Sequence, residues 1–142
     1  MSKFGTKAIH AGTEPDSATG AIMTPIYQTS TYIQNAPGEH KGYEYSRTLN
    51  PTRHALERNL AALENGNYGL TFSSGLAAMD ALLKSFKPGD EIISSNDLYG
   101  GSYRLFTKVF SDLGLKFHFV EMDDVTKVES LINMNTKMIW IE

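Results

Sequence analysis

The chain has 142 residues, of which 41% are hydrophobic and 20% charged, which is the composition of a globular protein with an ordinary core. Its net charge of −3 gives no support to a surface that binds nucleic acid or an anionic membrane. There are no cysteines, so we exclude disulfides and thiolate chemistry. No run is apolar enough to span a bilayer and no signal-peptide core is present, so we expect a cytoplasmic protein.

Residues 1–49 are rich in glycine and proline and show little apolar periodicity. An irregular segment of this length is uncommon inside a compact domain. The aromatic residues of "PIYQTSTYI" argue against disorder. We therefore expect residues 1–49 to form an ordered arm that lies on another part of the assembly, for which a second subunit is a candidate.

Regular elements are predicted from Asn50 onward, where Asn50 is typical of a helix cap and Pro51 of a first helical turn. The predicted elements are a helix from Pro51 toward Gly66, a strand at 68–72, a helix at 74–86, a strand at 91–95, a helix that includes Tyr103–Leu113 and is closed by Gly114, a strand at 115–121, a short helix around Val125–Ile132 and a strand at 137–141. Alternating strands and helices predict an α/β fold with a mostly parallel sheet and flanking helices. Because the last strand is strongly apolar, we expect residues 50–142 to be the first, truncated part of a larger domain.

Two strand-to-helix connections carry candidate binding residues. In "FSSGLAAMDALL" a glycine, Gly75, opens a helix whose free N–H groups can bind a phosphate. In "NDLYGGSYRLF" the ring of Tyr99 can stack on a planar ligand. The plainer interpretations are a capped turn for the first and a surface tyrosine for the second. The first connection is not a dinucleotide, Walker or GxSxG motif.

The segment "YEYSRTLNPTR" at 43–53 concentrates polar and aromatic groups in a predicted loop. Arg47 has the forked donors that suit a phosphate, and Tyr45 adds a hydroxyl. The plainer interpretation is a solvated arginine beside a packed tyrosine.

Taken together, these motifs resemble the N-terminal part of a known enzyme family. They are, in order, "GAIMTPIYQTSTY", "YEYSRTLNPTR", "FSSGLAAMDALL", "FKPGDE", "NDLYGGSYRLF" and "WIE". The chain looks like the pyridoxal-phosphate (PLP) enzymes of cysteine and methionine metabolism, the trans-sulfuration group with cystathionine γ-synthase and γ-lyase. The resemblance implies an aminotransferase-like fold of type I, here incomplete.

The resemblance assigns roles to the candidate residues. Gly75 and Leu76 would present backbone N–H groups to the PLP phosphate. Tyr99 would stack on the cofactor ring and act as a catalytic residue toward the incoming amine. Tyr45 and Arg47 would reach across a subunit interface to the neighbouring phosphate. The resemblance therefore implies a homo-oligomer, a dimer of dimers, with small-molecule amino-acid substrates.

Substrate class also follows from the resemblance. Glu44 is placed to meet the distal ammonium of cystathionine, and Gly101 stands where methionine γ-lyases typically carry a cysteine. We expect γ-elimination or γ-replacement on cystathionine or an activated homoserine ester, with synthase and lyase not separated. The family's Schiff-base lysine lies C-terminal to position 142, so we expect the 142-residue chain alone to be inactive.

Several alternatives stay open at this point. The enzyme can instead be of the methionine γ-lyase or cystathionine β-lyase type. A different class is a stand-alone α/β module that binds phosphate through "SSGLAA" without PLP. A third is a non-catalytic truncated subunit that binds a complete partner.

Overall fold

The computed structural model describes residues 3–142 as short helices and strands joined by turns. The helices are α1 (Phe4–His10), α2 (Pro51–Leu63), α3 (Gly75–Leu83), α4 (Gly100–Leu105) and α5 (Val125–Leu131), and the strands are β1 (Glu91–Ser95), β2 (Lys116–Val120) and β3 (Thr136–Trp140). A π-helical segment, Phe106–Phe110, continues α4. Strands and helices alternate after α2, as the sequence predicts.

The described residues divide into two compact units, one ending at Thr71 and one spanning Phe72–Glu142. Helix α2 therefore belongs with the residues before it. The predicted division into an arm (1–49) and a domain (50–142) concerns roles in a larger assembly and stays a prediction. Among the helices of residues 3–142, none has the length and apolar character needed to cross a membrane.

The second unit is built on a parallel sheet with strand order β2-β1-β3. All five residues of the central strand β1 are buried. Ile93 of β1 is paired with His118 on one side and with Ile139 on the other. The predicted α/β class with a parallel sheet is thus confirmed, and the carboxyl ends of the strands share one edge.

Aromatic side chains fill the core of this unit. The ring of Phe106 stacks on Phe117 with centroids 4.7 Å apart and meets Trp140 edge-on at 6.0 Å. The buried cluster consists of Leu83, Ile92, Phe106, Phe110 and Leu115. Truncating a buried phenylalanine typically costs about 3–5 kcal/mol, so this cluster holds the helices on the sheet.

The strand predicted at residues 68–72 is wrong, since the described residues there pair with no other strand. The side chains of Tyr68 and Leu70 are largely exposed. The N–H of Thr71 donates to the carboxylate of Glu57 instead of to a neighbouring strand. Residues 68–72 have the apolar character of a strand, but the N–H of Thr71 bonds to a side chain and is not available to a neighbouring strand.

The prediction that residues 1–49 are irregular is wrong for one short stretch, helix α1. Its seven residues have no capping side chain of their own. The amide of Asn59 on α2 donates to the carbonyls of Ala11, at 2.7 Å, and Ala8. A side chain from α2 therefore satisfies carbonyl groups at the end of α1, and the local sequence contains no pattern that predicts this contact.

Helix starts are predicted better than helix ends. Asn50 caps α2 by accepting from the N–H of Thr52 at 2.9 Å, and Pro51 is its first residue, as predicted. Helix α3 ends at Leu83 rather than at 86. The predicted third helix, expected to reach Leu113, ends at Phe110, and turns lead to Gly114, whose φ of 94° suits a glycine.

Candidate functional site

The first turn of α3 leaves backbone donors free. Ser74 precedes the helix with extended backbone, and its Oγ accepts from the N–H of Ala77 at 3.1 Å. Within residues 3–142, the N–H groups of Gly75 and Leu76 have no protein acceptor. A helix start of this kind, with its positive dipole end, favours an anion.

Gly75 leaves open space at the start of α3. A Cβ placed on Gly75 would meet no heavy atom within 4 Å. Both Gly75 and Leu76 are exposed. An anion can therefore approach these N–H groups closely without displacing a side chain of this chain.

Tyr99 lies beside this helix start. It is the residue before α4, in the loop at the carboxyl end of β1, and 64% of its surface is exposed. A Cβ placed on Gly101 would lie 2.3 Å from Tyr99 Cε1 and 3.1 Å from Leu76 Cδ1. The side chains of Tyr99 and Leu76 thus share the space over Gly101, and a ring face is available next to the anion-binding donors.

A buried serine fixes the helix that follows Tyr99. Ser102 is fully buried, and its hydroxyl donates to a carboxylate oxygen of Glu142 at 2.8 Å. The N–H of Asn96 also bonds to the carbonyl of Val120, at 3.1 Å. These contacts tie both ends of the Tyr99 loop to the ends of the neighbouring strands, so the loop is anchored rather than free.

In the first unit, Tyr45 and Arg47 form a pair. The guanidinium of Arg47 donates to the phenolic oxygen of Tyr45 at 2.8 Å, and its Cζ lies 5.3 Å from the centre of that ring. Tyr45 is half-buried, whereas Arg47 is exposed. The remaining donors of Arg47 are available for a ligand phosphate, and the tyrosine restricts where the guanidinium can go.

The backbone around this pair is held by an antiparallel contact. Thr31 pairs with Tyr45 as an isolated bridge. On either side, the N–H of Ser46 bonds to the carbonyl of Ser30 and the N–H of Tyr32 to the carbonyl of Glu44, at 2.8 and 3.1 Å. The side chain of Glu44 remains exposed.

The predicted site residues therefore fall into two groups. Gly75, Leu76 and Tyr99 lie together in the second unit, and Glu44, Tyr45 and Arg47 lie together in the first. Their roles toward a ligand stay predictions. Two supporting residues, Arg53 and Ser102, are not among the predicted site residues. Arg53 had a signal, because Glu57 follows at helical spacing, whereas the partner of Ser102 lies 40 positions away and has none.

Comparison with known proteins decides the family. The profile of the family described as Cys/Met metabolism PLP-dependent enzyme matches residues 5–142. The chain belongs to this family. A probable cystathionine gamma-synthase of Herpetosiphon aurantiacus is 53% identical over 139 residues, which are 98% of this chain and 44% of the relative. A cystathionine beta-lyase of Coxiella burnetii is 51% identical over 142 residues, 99% of this chain and 37% of that protein.

Solved structures agree with this membership. A crystal structure of cystathionine gamma-lyase from Lactobacillus plantarum complexed with L-serine superimposes with a TM-score of 0.91 at 44% identity. The match covers 99% of this chain and 36% of that one. The chain thus spans less than half the length of the relatives it matches.

The family's cofactor is pyridoxal phosphate, and the residues at the start of α3 fit it. PLP has a phosphate and a planar aromatic ring. Gly75 offers an open approach to unpaired N–H groups, as a phosphate needs, and Tyr99 offers an exposed ring face beside them. The predicted resemblance to the trans-sulfuration enzymes is confirmed at the level of the family.

Proposed function

We propose that the complete protein carrying this sequence is a PLP-dependent trans-sulfuration enzyme. It would act at the γ-carbon of cystathionine or of an activated homoserine ester, by elimination or by replacement. The observation that carries the proposal is the 53% identity, over nearly the whole chain, to a probable cystathionine gamma-synthase. A cytoplasmic location is part of the same proposal.

The second unit would hold the cofactor. The N–H groups of Gly75 and Leu76 would bind the phosphate, while Tyr99 would cover one face of the ring and take a proton from the incoming amine. When bound, PLP supplies an electron sink for negative charge next to the substrate's amino group. The anchored Tyr99 loop would keep the stacked ring in one orientation.

The first unit would serve the neighbouring subunit. The half-buried Tyr45 offers a hydroxyl and the exposed Arg47 a guanidinium, and both groups suit a phosphate. If they bind the partner's phosphate, each active site needs two chains, and the smallest functional unit is a dimer. A dimer of dimers is the assembly that we propose.

Two residues support a cystathionine-type substrate. Glu44 has an exposed carboxylate next to Tyr45, where it would pair with the distal ammonium of cystathionine. Any side chain at position 101 would collide with Tyr99, because a Cβ there would lie 2.3 Å from its ring. The cysteine typical of methionine γ-lyases would therefore require a different tyrosine position, which argues against that activity.

A second candidate is β-cleavage of cystathionine, which the 51% identity to a cystathionine beta-lyase favours. The products separate the two reactions. With PLP and L-cystathionine, hydrolytic γ-cleavage gives cysteine, 2-oxobutanoate and ammonia, whereas β-cleavage gives homocysteine, pyruvate and ammonia. A synthase would instead form cystathionine from cysteine and an activated homoserine ester.

These assays also test the non-catalytic alternatives. The proposal predicts a visible absorption band on addition of PLP and one of the γ-carbon reactions. A complete protein that binds PLP but forms homocysteine and pyruvate would favour the β-lyase. Absence of both the band and every product would leave the phosphate-binding module or the non-catalytic subunit. Whether the anchoring lysine follows these 142 residues is checked directly by the gene sequence after the codon for Glu142.

A further inference from the structure

Arg53, in the first turn of α2, bonds to the backbone on both sides of Arg47. Its Nη2 donates to the carbonyl oxygen of Thr48 at 2.6 Å, and its Nη1 to that of Ser46 at 3.5 Å. These carbonyls belong to the residues directly before and after Arg47. One rigid guanidinium fork therefore holds the backbone both before and after Arg47.

Arg53 is itself held by Glu57, four residues later on the same helix. The Nε of Arg53 lies 3.7 Å from a carboxylate oxygen of Glu57, whose side chain is only 12% exposed. The same oxygen accepts from the N–H and the hydroxyl of Thr71, at 3.1 and 3.0 Å. Thr71 thus holds the Glu57 carboxylate through two donors. The carboxylate in turn orients Arg53 and neutralises its charge.

A glycine makes this arrangement possible. A Cβ on Gly69 would lie 2.3 Å from the backbone carbonyl oxygen of Glu57, closer than any side chain can approach. The segment 69–71 therefore lies directly against α2. That close approach lets Thr71 reach the Glu57 carboxylate.

We infer that Arg53 is a positioning residue for Arg47, and that Glu57 and Thr71 hold it in place. The inference rests on the proposed function, in which Arg47 binds the PLP phosphate. Arg47 is exposed, and if the backbone around it were unrestrained, the loop would lose conformational entropy on every binding event. Fixing its backbone in advance lowers that cost and strengthens phosphate binding specifically.

The test compares PLP with pyridoxal, which has the ring but no phosphate, as ligands of the complete protein. Arg53→Lys keeps the charge but cannot reach both carbonyls and Glu57 at once. We expect the dissociation constant for PLP to rise about tenfold, the loss of roughly one charge-assisted hydrogen bond, while that for pyridoxal stays the same. A merely structural role would weaken the two ligands equally.

Three further variants extend the comparison. Glu57→Gln should raise the dissociation constant for PLP relative to that for pyridoxal, by a smaller factor than Arg53→Lys does. If Arg53→Lys does not fold, the result for Glu57→Gln decides whether Arg53 has the positioning role. Arg58→Lys is the matched control, an exposed arginine on the same helix that should leave the ratio unchanged. In an Arg47→Ala background, Arg53→Lys should have no further effect on the ratio.

The outcomes separate this inference from the proposed function. If Arg47→Ala leaves the ratio of PLP to pyridoxal affinity unchanged, the proposed phosphate contact of Arg47 fails. If Arg47→Ala lowers the preference for PLP but neither Arg53→Lys nor Glu57→Gln does, the positioning role alone is overturned. An additive effect of Arg53→Lys in the Arg47→Ala background would also overturn it, since Arg53 would then act by another route.

Discussion

The hydroxyl of Ser102 donates a hydrogen bond of 2.8 Å to the carboxylate of Glu142, joining α4 to the residue that follows β3 by two positions. Ser102 is fully buried, and the indole N–H of Trp140 also points to Glu142 at 3.4 Å. Because Ser102 stands three residues after Tyr99, this bond fixes the helix turn that follows Tyr99, the residue proposed to stack on the cofactor.

Ser102→Ala is expected to lower the free energy of unfolding of the complete protein by about 1 kcal/mol, the typical net value of one hydrogen bond. Glu142→Gln keeps an acceptor oxygen and should cost less. Urea unfolding measures both, and an equal or larger loss for Glu142→Gln would show that the bond is not the stabilising element.

Gly75→Pro removes one candidate phosphate donor without disturbing the helix. Gly75 is the first residue of α3, where proline fits, and Ser74 is already extended, as a residue before proline prefers. We expect PLP affinity to fall by about tenfold or more while the melting temperature stays within a few degrees.

Val125→Pro is the matched control for Gly75→Pro. Val125 is likewise the first residue of a helix whose cap, Asp124, accepts from a backbone N–H, but it belongs to no candidate site. It should leave PLP affinity unchanged in an absorbance titration. Equal losses in the two variants, or an unaltered affinity in Gly75→Pro, would mean that the start of α3 does not bind the phosphate.

Gly101→Ala tests the stacking role of Tyr99. The added methyl would collide with the Tyr99 ring, and the exposed ring can yield by turning away. We expect weaker PLP binding and an altered visible spectrum, with little change in melting temperature because an exposed side chain moves at low cost. Gly100→Ala is the control, since its Cβ would meet only the end of a flexible arginine, Arg104, at 3.3 Å. Identical spectra for the two variants would contradict stacking by Tyr99.

The parts of the fold that depend on local chemistry could be predicted from the sequence. Asn50 and Pro51 start α2 because a cap and a first-turn proline act within a few residues. The strands in the second unit were recognisable as short apolar runs between helices. The parallel order followed from their alternation with helices.

The rest depends on contacts between distant residues. The carbonyl of Ala11, just after α1, accepts a hydrogen bond from Asn59, which is 48 positions away. In residues 68–72, the N–H of Thr71 bonds to the Glu57 side chain and not to a strand. For the candidate site, sequence motifs indicated the binding residues themselves. They did not indicate Arg53 or Ser102. Arg53 has only the i,i+4 spacing to Glu57 as a signal, and the partner of Ser102 lies 40 positions away.

Glu91 joins the three strands at their amino ends. Its carboxylate accepts from Asn133 at 2.9 Å, meets His118 at 2.8 Å and pairs with Lys116 at 3.5 Å. The hydrogen bond from Asn133, followed by that from His118 and the charge of Lys116, lowers the pKa of Glu91 from 4.5 to about 2. The ionised form is therefore the one that the folded sheet stabilises.

A pH dependence follows from this shift. Because the folded pKa is depressed, the contribution of Glu91 to stability is complete above pH 4.5 and is lost as the pH falls toward about 2. The melting temperature of the unmodified protein should exceed that of Glu91→Gln by a margin that is constant near neutrality and shrinks through this window. A margin that stays constant from pH 5 to 2, or grows on acidification, would show that the ionised carboxylate does not stabilise the sheet.

In the proposed assembly, Tyr45 and Arg47 would complete the cofactor site of a neighbouring chain, while Gly75 and Tyr99 would belong to the site of their own chain. The measurement mixes two complete variants, Arg47→Ala and Gly75→Pro/Tyr99→Ala, at a PLP concentration that neither binds alone. After subunit exchange, confirmed by mass, one site of each mixed dimer would carry every defect and the other none. The account predicts PLP binding with unmodified affinity at one site per mixed dimer. If Arg47 serves its own chain, every site keeps a defect, and the absence of any high-affinity site would contradict the account.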